Sequence, residues 1–193
     1  MDVDDIQLMR RIRAGQVELF DLLVERYRRP LLSVAWSKLG DRARAEDVVQ
    51  ETLLAAFASR ATYNERFAFR TWVWTILLNL CRRYWKRRQD RPHEISLSCP
   101  SDDLAGYREP ALHQSPLAQV LRTERREQVH RLLARLPEVQ ADALRLRFFG
   151  GLQFSEIALA MGSSLSAAKQ RVKHGLTNLA DHLQEIDGEG ELS

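Results

Sequence analysis

Residues 153–175, QFSEIALAMGSSLSAAKQRVKHG, form two short helical patterns separated by a tight turn. Apolar residues recur at helical spacing in the first pattern, and Gly162 interrupts it. Ser164 stands where it can cap the second helix, whose inner positions are small or apolar. These features are the anatomy of a helix-turn-helix, a motif that places its second helix in the major groove of DNA.

The outward face of the second helix is rich in groups that bind nucleic acid. Leu165, Ala168 and Val172 are predicted to face inward, and no acidic residue occurs between Ala167 and Asn178. A solvated helix face would also be polar, but cations, amides and hydroxyls beside a turn favour contacts with phosphates and base edges. The predicted DNA contacts are Ser166, Lys169, Gln170, Arg171, Lys173 and His174.

The rest of the chain predicts an all-α protein with two small helical domains. Helical spacing recurs almost everywhere, and no segment alternates with period two for long. Proline, glycine, serine and aspartate are concentrated in residues 91–116, which predicts a flexible linker between domains at 1–90 and 117–185. Residues 186–193 are predicted to form a disordered tail. Gly40 and Asp41 are predicted to separate two helices, the second spanning about residues 42–58.

An acidic helix lies in the first domain, in the stretch RAEDVVQETLLAAF, residues 44–57. Its apolar residues can share one face, while the opposite face carries acidic and amide side chains, among them Asp47, Gln50 and Glu51. Asp47 and Glu51 have like charges at i and i+4, which is unfavourable for an isolated helix and repels DNA. The pattern fits a plain solvated face and a docking site for a basic protein surface about equally well.

A third surface combines aromatic and basic residues. In FRTWVWTILLNLCRRYWKRR, residues 69–88, the polar side of the helix carries Asn79, Arg83 and Lys86, which can bind a DNA backbone. The preceding loop contains Tyr63 and Phe67, and exposed aromatic side chains beside cations are suited to stacking on unpaired bases. The bland alternative, that aromatic residues here fill the core, applies best to Phe69, Trp72 and Trp74.

Composition and cysteine usage exclude several other classes. A net charge of +3 is mild, and the apolar run at Trp72 is too short for a membrane span of about 20 residues. The acidic N-terminus does not resemble an export signal, so a cytoplasmic location is expected. Cys81 and Cys99 and the five scattered histidines fit no metal-ligand spacing, and no catalytic motif is present. Neither an enzyme nor a cofactor or metal site is predicted.

These motifs, in this order, resemble bacterial sigma factors of the sigma-70 family, in particular the extracytoplasmic-function (ECF) group. Residues 44–57 resemble region 2.2, residues 69–88 resemble regions 2.3 and 2.4, and residues 136–183 resemble region 4 with its helix-turn-helix. The resemblance leaves out the linker and the extreme termini. One departure is Gln153, which stands where a better helix cap, serine or threonine, is usual.

The resemblance implies a role for each surface. Asp47, Gln50 and Glu51 would bind the clamp helices of the RNA polymerase large subunit. The loop with Tyr63, Asn64 and Phe67 would hold a base flipped from the minus-10 element, and Asn79, Arg83 and Lys86 would contact that element. Residues 166–174 would read the minus-35 element. Core RNA polymerase and promoter DNA are therefore the expected partners, and an anti-sigma factor holds many relatives inactive.

Two other functions remain open at the sequence level. A two-domain transcriptional regulator could bind an operator through residues 153–175 without polymerase, but it leaves the acidic helix and the aromatic loop unexplained. A nuclease would need a carboxylate cluster on a cleft to bind metal ions. Its candidates, Asp102 and Asp103, lie in the predicted linker, which makes a nuclease remote.

Overall fold

The computed structural model describes residues 4–89 and 116–190, and these residues contain helices and no strand. The all-α prediction is confirmed. Eight α-helices occur in the described ranges, with short 3-10 helices at Val17–Leu19 and Arg60–Thr62. The α-helices are α1 (Asp5–Arg13), α2 (Phe20–Leu39), α3 (Arg42–Ala58), α4 (Phe69–Gln89), α5 (Pro116–Arg135), α6 (Glu138–Phe148), α7 (Phe154–Ala160) and α8 (Leu165–Gly190).

The predicted boundary between α2 and α3 is confirmed by its backbone geometry. Gly40 ends α2 with a φ of 71°, a left-handed conformation that glycine adopts without a steric penalty. The Asp41 side chain then accepts a hydrogen bond of 3.1 Å from the Arg44 backbone N–H and caps α3. Pro30, which punctuates the sequence, does not end a helix, because α2 continues through it with the loss of one backbone donor.

The first domain is built around Phe69, at the start of α4. Its ring is fully buried and meets Tyr27 and Trp72 edge to face, with ring centroids 5.3 and 5.9 Å apart. Phe20 and Tyr63 complete the cluster at 6.4 and 6.2 Å. Helices α1, α2 and α4 and the loop before α4 therefore converge on one side chain, which fixes where α4 begins.

The second domain holds α8 against α6 at a glycine. A Cβ placed on Gly175 would lie 2.9 Å from the Leu144 side chain, so the close approach of α8 and α6 depends on its absence. Further along α8, Asn178 donates a hydrogen bond of 2.9 Å to Gln140 on α6. These two contacts set the position of the helix that carries the predicted DNA contacts.

Several sequence predictions differ from the structure in this domain. Val129 and Val139 were predicted on buried stripes but are 40% and 48% exposed, since the packed faces of α5 and α6 are rotated away from them. The predicted tail at 186–193 is helical as far as Gly190, because residues 184–187 continue the helix without a stop signal. The predicted linker lies outside the described residues except Pro116, which begins α5.

The two domains pack against each other, and charged residues lie at the centre of the contact. Lys38 on α2 donates to both carboxylate oxygens of Asp142 on α6, at 2.7 and 2.8 Å. Arg145 donates to Asp142 at 3.3 Å and to the Ser37 hydroxyl at 3.2 Å. All three charged side chains are at most 6% exposed. We call Lys38, Asp142 and Arg145 the interdomain ion cluster.

The groups around this cluster have shifted pKa values. A hydrogen bond from Lys38 lowers the pKa of Glu138, and burial lowers the pKa of Arg145. Burial also lowers the pKa of His130, which lies against Gly40. The thiol of Cys81 is fully buried, which raises its pKa to about 12. A thiol with so high a pKa is unreactive, so a structural role for Cys81 follows.

A second contact joins the start of α4 to the turn before α7. Arg70 donates from Nη2 to the backbone carbonyls of Gly150 and Gly151, each at 2.7 Å. The Trp74 ring lies against Gly150, where an added Cβ would come within 3.2 Å of it. The sequence predicted neither contact, since nothing in the local pattern of either domain specifies the other.

Candidate nucleic-acid interface

The helix-turn-helix consists of α7 and α8, joined at Gly162, which has a φ of 58°. Ser164 caps α8 as predicted, accepting a hydrogen bond of 3.1 Å from the Ala167 backbone N–H. At α7, Gln153 is part of a capping box, in which its backbone N–H donates to Glu156 at 2.7 Å. The less usual residue at this position is therefore compatible with a capped helix.

The predicted DNA contacts on α8 lie on one accessible face. Ala168 and Val172 are buried as expected, while Arg171 is half-buried and the other five residues are exposed. Leu165 was predicted to face inward but is 48% exposed, because it lies at the first position of α8, beyond the packed surface. The face that remains is basic and polar: Ser166, Lys169, Gln170, Arg171, Lys173 and His174.

The acidic face of α3 is separate from the DNA candidates on α8. Ala45, Val48, Val49 and Leu53 are buried, whereas Asp47, Gln50 and Glu51 are exposed, as the helical spacing predicts. No described residue forms an ion pair with Asp47 or Glu51. Leu54, missed by the sequence analysis, continues this face and is 60% exposed. A protein partner could therefore find both charge and apolar surface here.

The loop before α4 holds one aromatic side chain inside and one outside. Tyr63 was expected to be exposed, but it is 3% exposed and packs on Phe69 and Trp72, with centroids 6.2 and 5.2 Å away. Burial raises its pKa to about 12. Its hydroxyl donates a hydrogen bond of 2.6 Å to the Phe67 carbonyl. Stacking of a base on Tyr63 does not fit this position, because its ring belongs to the core.

Phe67 is 45% exposed at the outer end of the same loop. Besides the bond from Tyr63, its backbone N–H donates to the Asn64 carbonyl at 3.0 Å. The Asn64 side chain accepts from the Arg66 backbone N–H at 3.0 Å, and Glu65 bonds Arg10 on α1 at 2.7 Å. The loop is thus held in one shape before any ligand arrives, which lowers the entropy cost of binding.

The polar side of α4 continues from this loop. Asn79, Arg83 and Lys86 are exposed, as predicted, and Arg82 and Arg87 are also exposed beside them. Arg82 donates to the Asn79 side chain at 3.3 Å, which orients the amide. The core alternative is right for Phe69 and Trp74, which are fully buried, and Trp72 is half-buried. An exposed phenylalanine followed by a basic helix face can take an unpaired, negatively charged strand.

The described ranges contain no group of three or more histidine, cysteine or acidic side chains placed to hold a metal ion. Within the same ranges, none of the helices combines the length and apolar character needed to cross a bilayer.

Comparison with known proteins identifies the family. The description Sigma-70 region 2 matches residues 23–91, and Sigma-70, region 4 matches residues 126–179. The chain is 30% identical to the RNA polymerase sigma-H factor of Pseudomonas aeruginosa, over 87% of its own length and 88% of the relative's. The chain belongs to the sigma-70 family. Sigma factors of this family associate with RNA polymerase and direct promoter-specific initiation of transcription.

Other relatives place this sigma factor in the ECF group. It is 29% identical to the ECF RNA polymerase sigma-E factor of Escherichia coli K12, over 87% of this chain and 88% of the relative. Its fold is similar to that of CnrH in complex with the cytosolic domain of CnrY, with a TM-score of 0.70, 23% identity, and coverage of 94% and 97%. The sigma factor RpoE in complex with the anti-sigma factor NepR from Bartonella quintana gives 0.61, 21%, 86% and 96%.

Proposed function

We propose that this sigma factor reads a promoter with two separate surfaces and docks on polymerase with a third. In this proposal α8 reads the minus-35 duplex, and the loop at Phe67 together with α4 captures the melted minus-10 strand. The acidic face of α3 binds the clamp helices of core polymerase. Each surface is accessible on its own element, and the match of residues 23–91 to region 2 favours this function over a polymerase-independent regulator.

The loop gives the strongest support for strand capture. Tyr63 and Asn64 fix its backbone, and Phe67 is left exposed beside cations of α4. Flipping a base out of a duplex costs a few kcal/mol, which binding of the free base can offset without ATP. Asn64 stays in the proposed minus-10 set with Phe67, Asn79, Arg83 and Lys86, whereas Tyr63 supports the loop from inside the core.

A regulatory partner is also part of the proposal. The solved neighbours are complexes with the cytosolic domain of CnrY and with the anti-sigma factor NepR. By analogy, an anti-sigma factor would hold this protein inactive. Adding such a partner to a transcription reaction would reduce the product.

The test is transcription in vitro with purified core polymerase and a library of genomic fragments, with and without this protein. New start sites that share two short upstream motifs are the expected result. If no starts appear while the protein alone shifts a duplex in a gel, the regulator hypothesis replaces the proposal.

Replacing Arg171 by alanine is expected to reduce promoter occupancy about tenfold to 100-fold, since a base contact contributes about 1–3 kcal/mol. Affinity for core polymerase should not change, because Arg171 lies on α8. Filter binding of the holoenzyme to a promoter fragment measures the effect. Arg135→Ala, an exposed arginine on α5, is the matched control. Equal losses for both variants would contradict a specific role for Arg171.

Phe67→Ala is expected to lower the fraction of melted promoter about fivefold to 100-fold, because one base–aromatic stack contributes about 1–3 kcal/mol. The fold should be retained, since the ring packs on little. Permanganate reactivity of unpaired thymines reports melting directly. Phe148→Ala removes another exposed aromatic ring, 61% accessible on α6, and should leave melting unchanged. Normal melting by the Phe67 variant would remove the loop from the proposal.

A further inference from the structure

The two DNA-reading surfaces are too close together to serve one promoter in the arrangement seen here. The names of the elements place them about 25 base pairs apart, or about 85 Å at ~3.4 Å per base pair. A compact body of this length has a radius of gyration of about 16 Å. With α2 packed on α6 and α4 packed on α7, the protein does not span that distance.

The contact between the domains has the chemistry of a surface that separates. Lys38 and Asp142 have side chains 3% and 1% exposed, yet both are ionic. Burying an ion pair costs desolvation energy that its attraction barely offsets, so a permanent core would be better served by apolar residues. On separated domains the same charges would be solvated, and both faces would remain soluble.

A second feature of the interface points the same way. Trp74 is fully buried against Gly150, and its indole N–H has no acceptor among the described residues. A buried donor without a partner is costly, and water would satisfy it when the domains part. Part of the cost of opening is therefore recovered at Trp74.

We propose that the interdomain ion cluster holds a closed form of this sigma factor, which opens when the protein engages polymerase and promoter. Lys38, Asp142 and Arg145 belong to none of the proposed DNA or polymerase contacts, so their role is to set the population of the open form. When the binding-competent form is a minor fraction, the observed affinity falls by that fraction. Weakening the cluster should therefore strengthen promoter binding. This inference rests on the proposed function for the separation of the two promoter elements.

Energy transfer between dyes on the two domains measures opening directly. The dyes are attached at Glu18→Cys and Glu185→Cys, two exposed positions, in a full-length background carrying Cys81→Ala and Cys99→Ser. The free protein is expected to give high transfer. Binding to core polymerase and a promoter fragment should lower transfer strongly, as the domains move tens of ångströms apart. Unchanged transfer in a transcribing complex would overturn the inference while leaving the proposed function intact.

Variants of the cluster test its role in the free protein. Asp142→Asn leaves Lys38 without a full counter-charge and should lower transfer and raise promoter affinity of the holoenzyme severalfold. The double variant Lys38→Met/Asp142→Leu replaces the pair by apolar side chains and should restore high transfer. Arg10→Gln removes an exposed ion pair inside the first domain and should change neither quantity.

The two failures are distinguishable. If Asp142→Asn folds, by circular dichroism, but keeps high transfer, the cluster does not hold the closed form. If it does not fold, the wild-type measurement in the promoter complex still decides the inference. If no fragment is transcribed at all, the proposed function fails, and the free-protein variants still report whether the cluster controls domain separation.

Discussion

Reversing the charge of Asp47 should weaken binding to core polymerase about 100-fold or more. In the proposed docking, Asp47→Arg would place a cation opposite a basic partner surface, and like charges brought together at an interface cost several kcal/mol. Every 1.4 kcal/mol is a factor of ten in affinity. The fold should be retained, because Asp47 is exposed on α3 and no described residue pairs with it. Fluorescence anisotropy with labelled core polymerase measures the affinity.

The matched control reverses the same charge elsewhere. Glu185 is exposed near the end of α8, so Glu185→Arg changes the net charge equally without touching α3. Core affinity should stay within about twofold of the unmodified protein, since distant surface charges are screened by salt. Should Asp47→Arg bind core polymerase normally, the docking role of α3 would be withdrawn, whatever the control shows.

Replacing Phe69 by alanine should lower the free energy of unfolding by about 3–5 kcal/mol. The ring is fully buried and lies at the meeting point of α1, α2, α4 and the Phe67 loop, so its removal leaves a cavity that four segments would have to fill. Urea denaturation followed by circular dichroism gives the value. Because the loop is anchored on this cluster, the variant should also melt promoters poorly at temperatures where it remains folded.

An exposed ring provides the comparison. Phe148→Ala, with 61% of the side chain accessible, should change the free energy of unfolding by less than about 0.5 kcal/mol. A small effect at Phe69 would mean that the aromatic cluster does not organise the first domain.

Sequence patterns predicted the local features of this protein well. Gly40, Asp41, Gly162 and Ser164 have specific backbone roles at helix ends, and the structure confirms each of them. The exposed face of α3 also follows from helical spacing alone. These features depend on neighbours within one or two turns of the chain, which a sequence pattern contains.

Features that depend on distant residues were not predictable in the same way. Tyr63 and Phe67 both occur in a polar loop, and its composition gives no reason why one ring should be buried and the other exposed. That difference arises because Phe69 and Trp72 form a surface for Tyr63. Likewise Lys38 and Asp142 are 104 positions apart, so neither domain's pattern predicts their contact.

The contact made by Arg70 suggests how tolerant this architecture is to exchange of parts. Arg70 grips main-chain carbonyls at Gly150 and Gly151, so the contact depends on the shape of the turn and not on its side chains. The turn needs the left-handed φ of 64° at Gly151, which favours glycine. A C-terminal domain grafted from a relative would therefore dock on this N-terminal domain whenever it carries that turn. Chimaeras with new promoter preferences could then keep the native mode of domain closure.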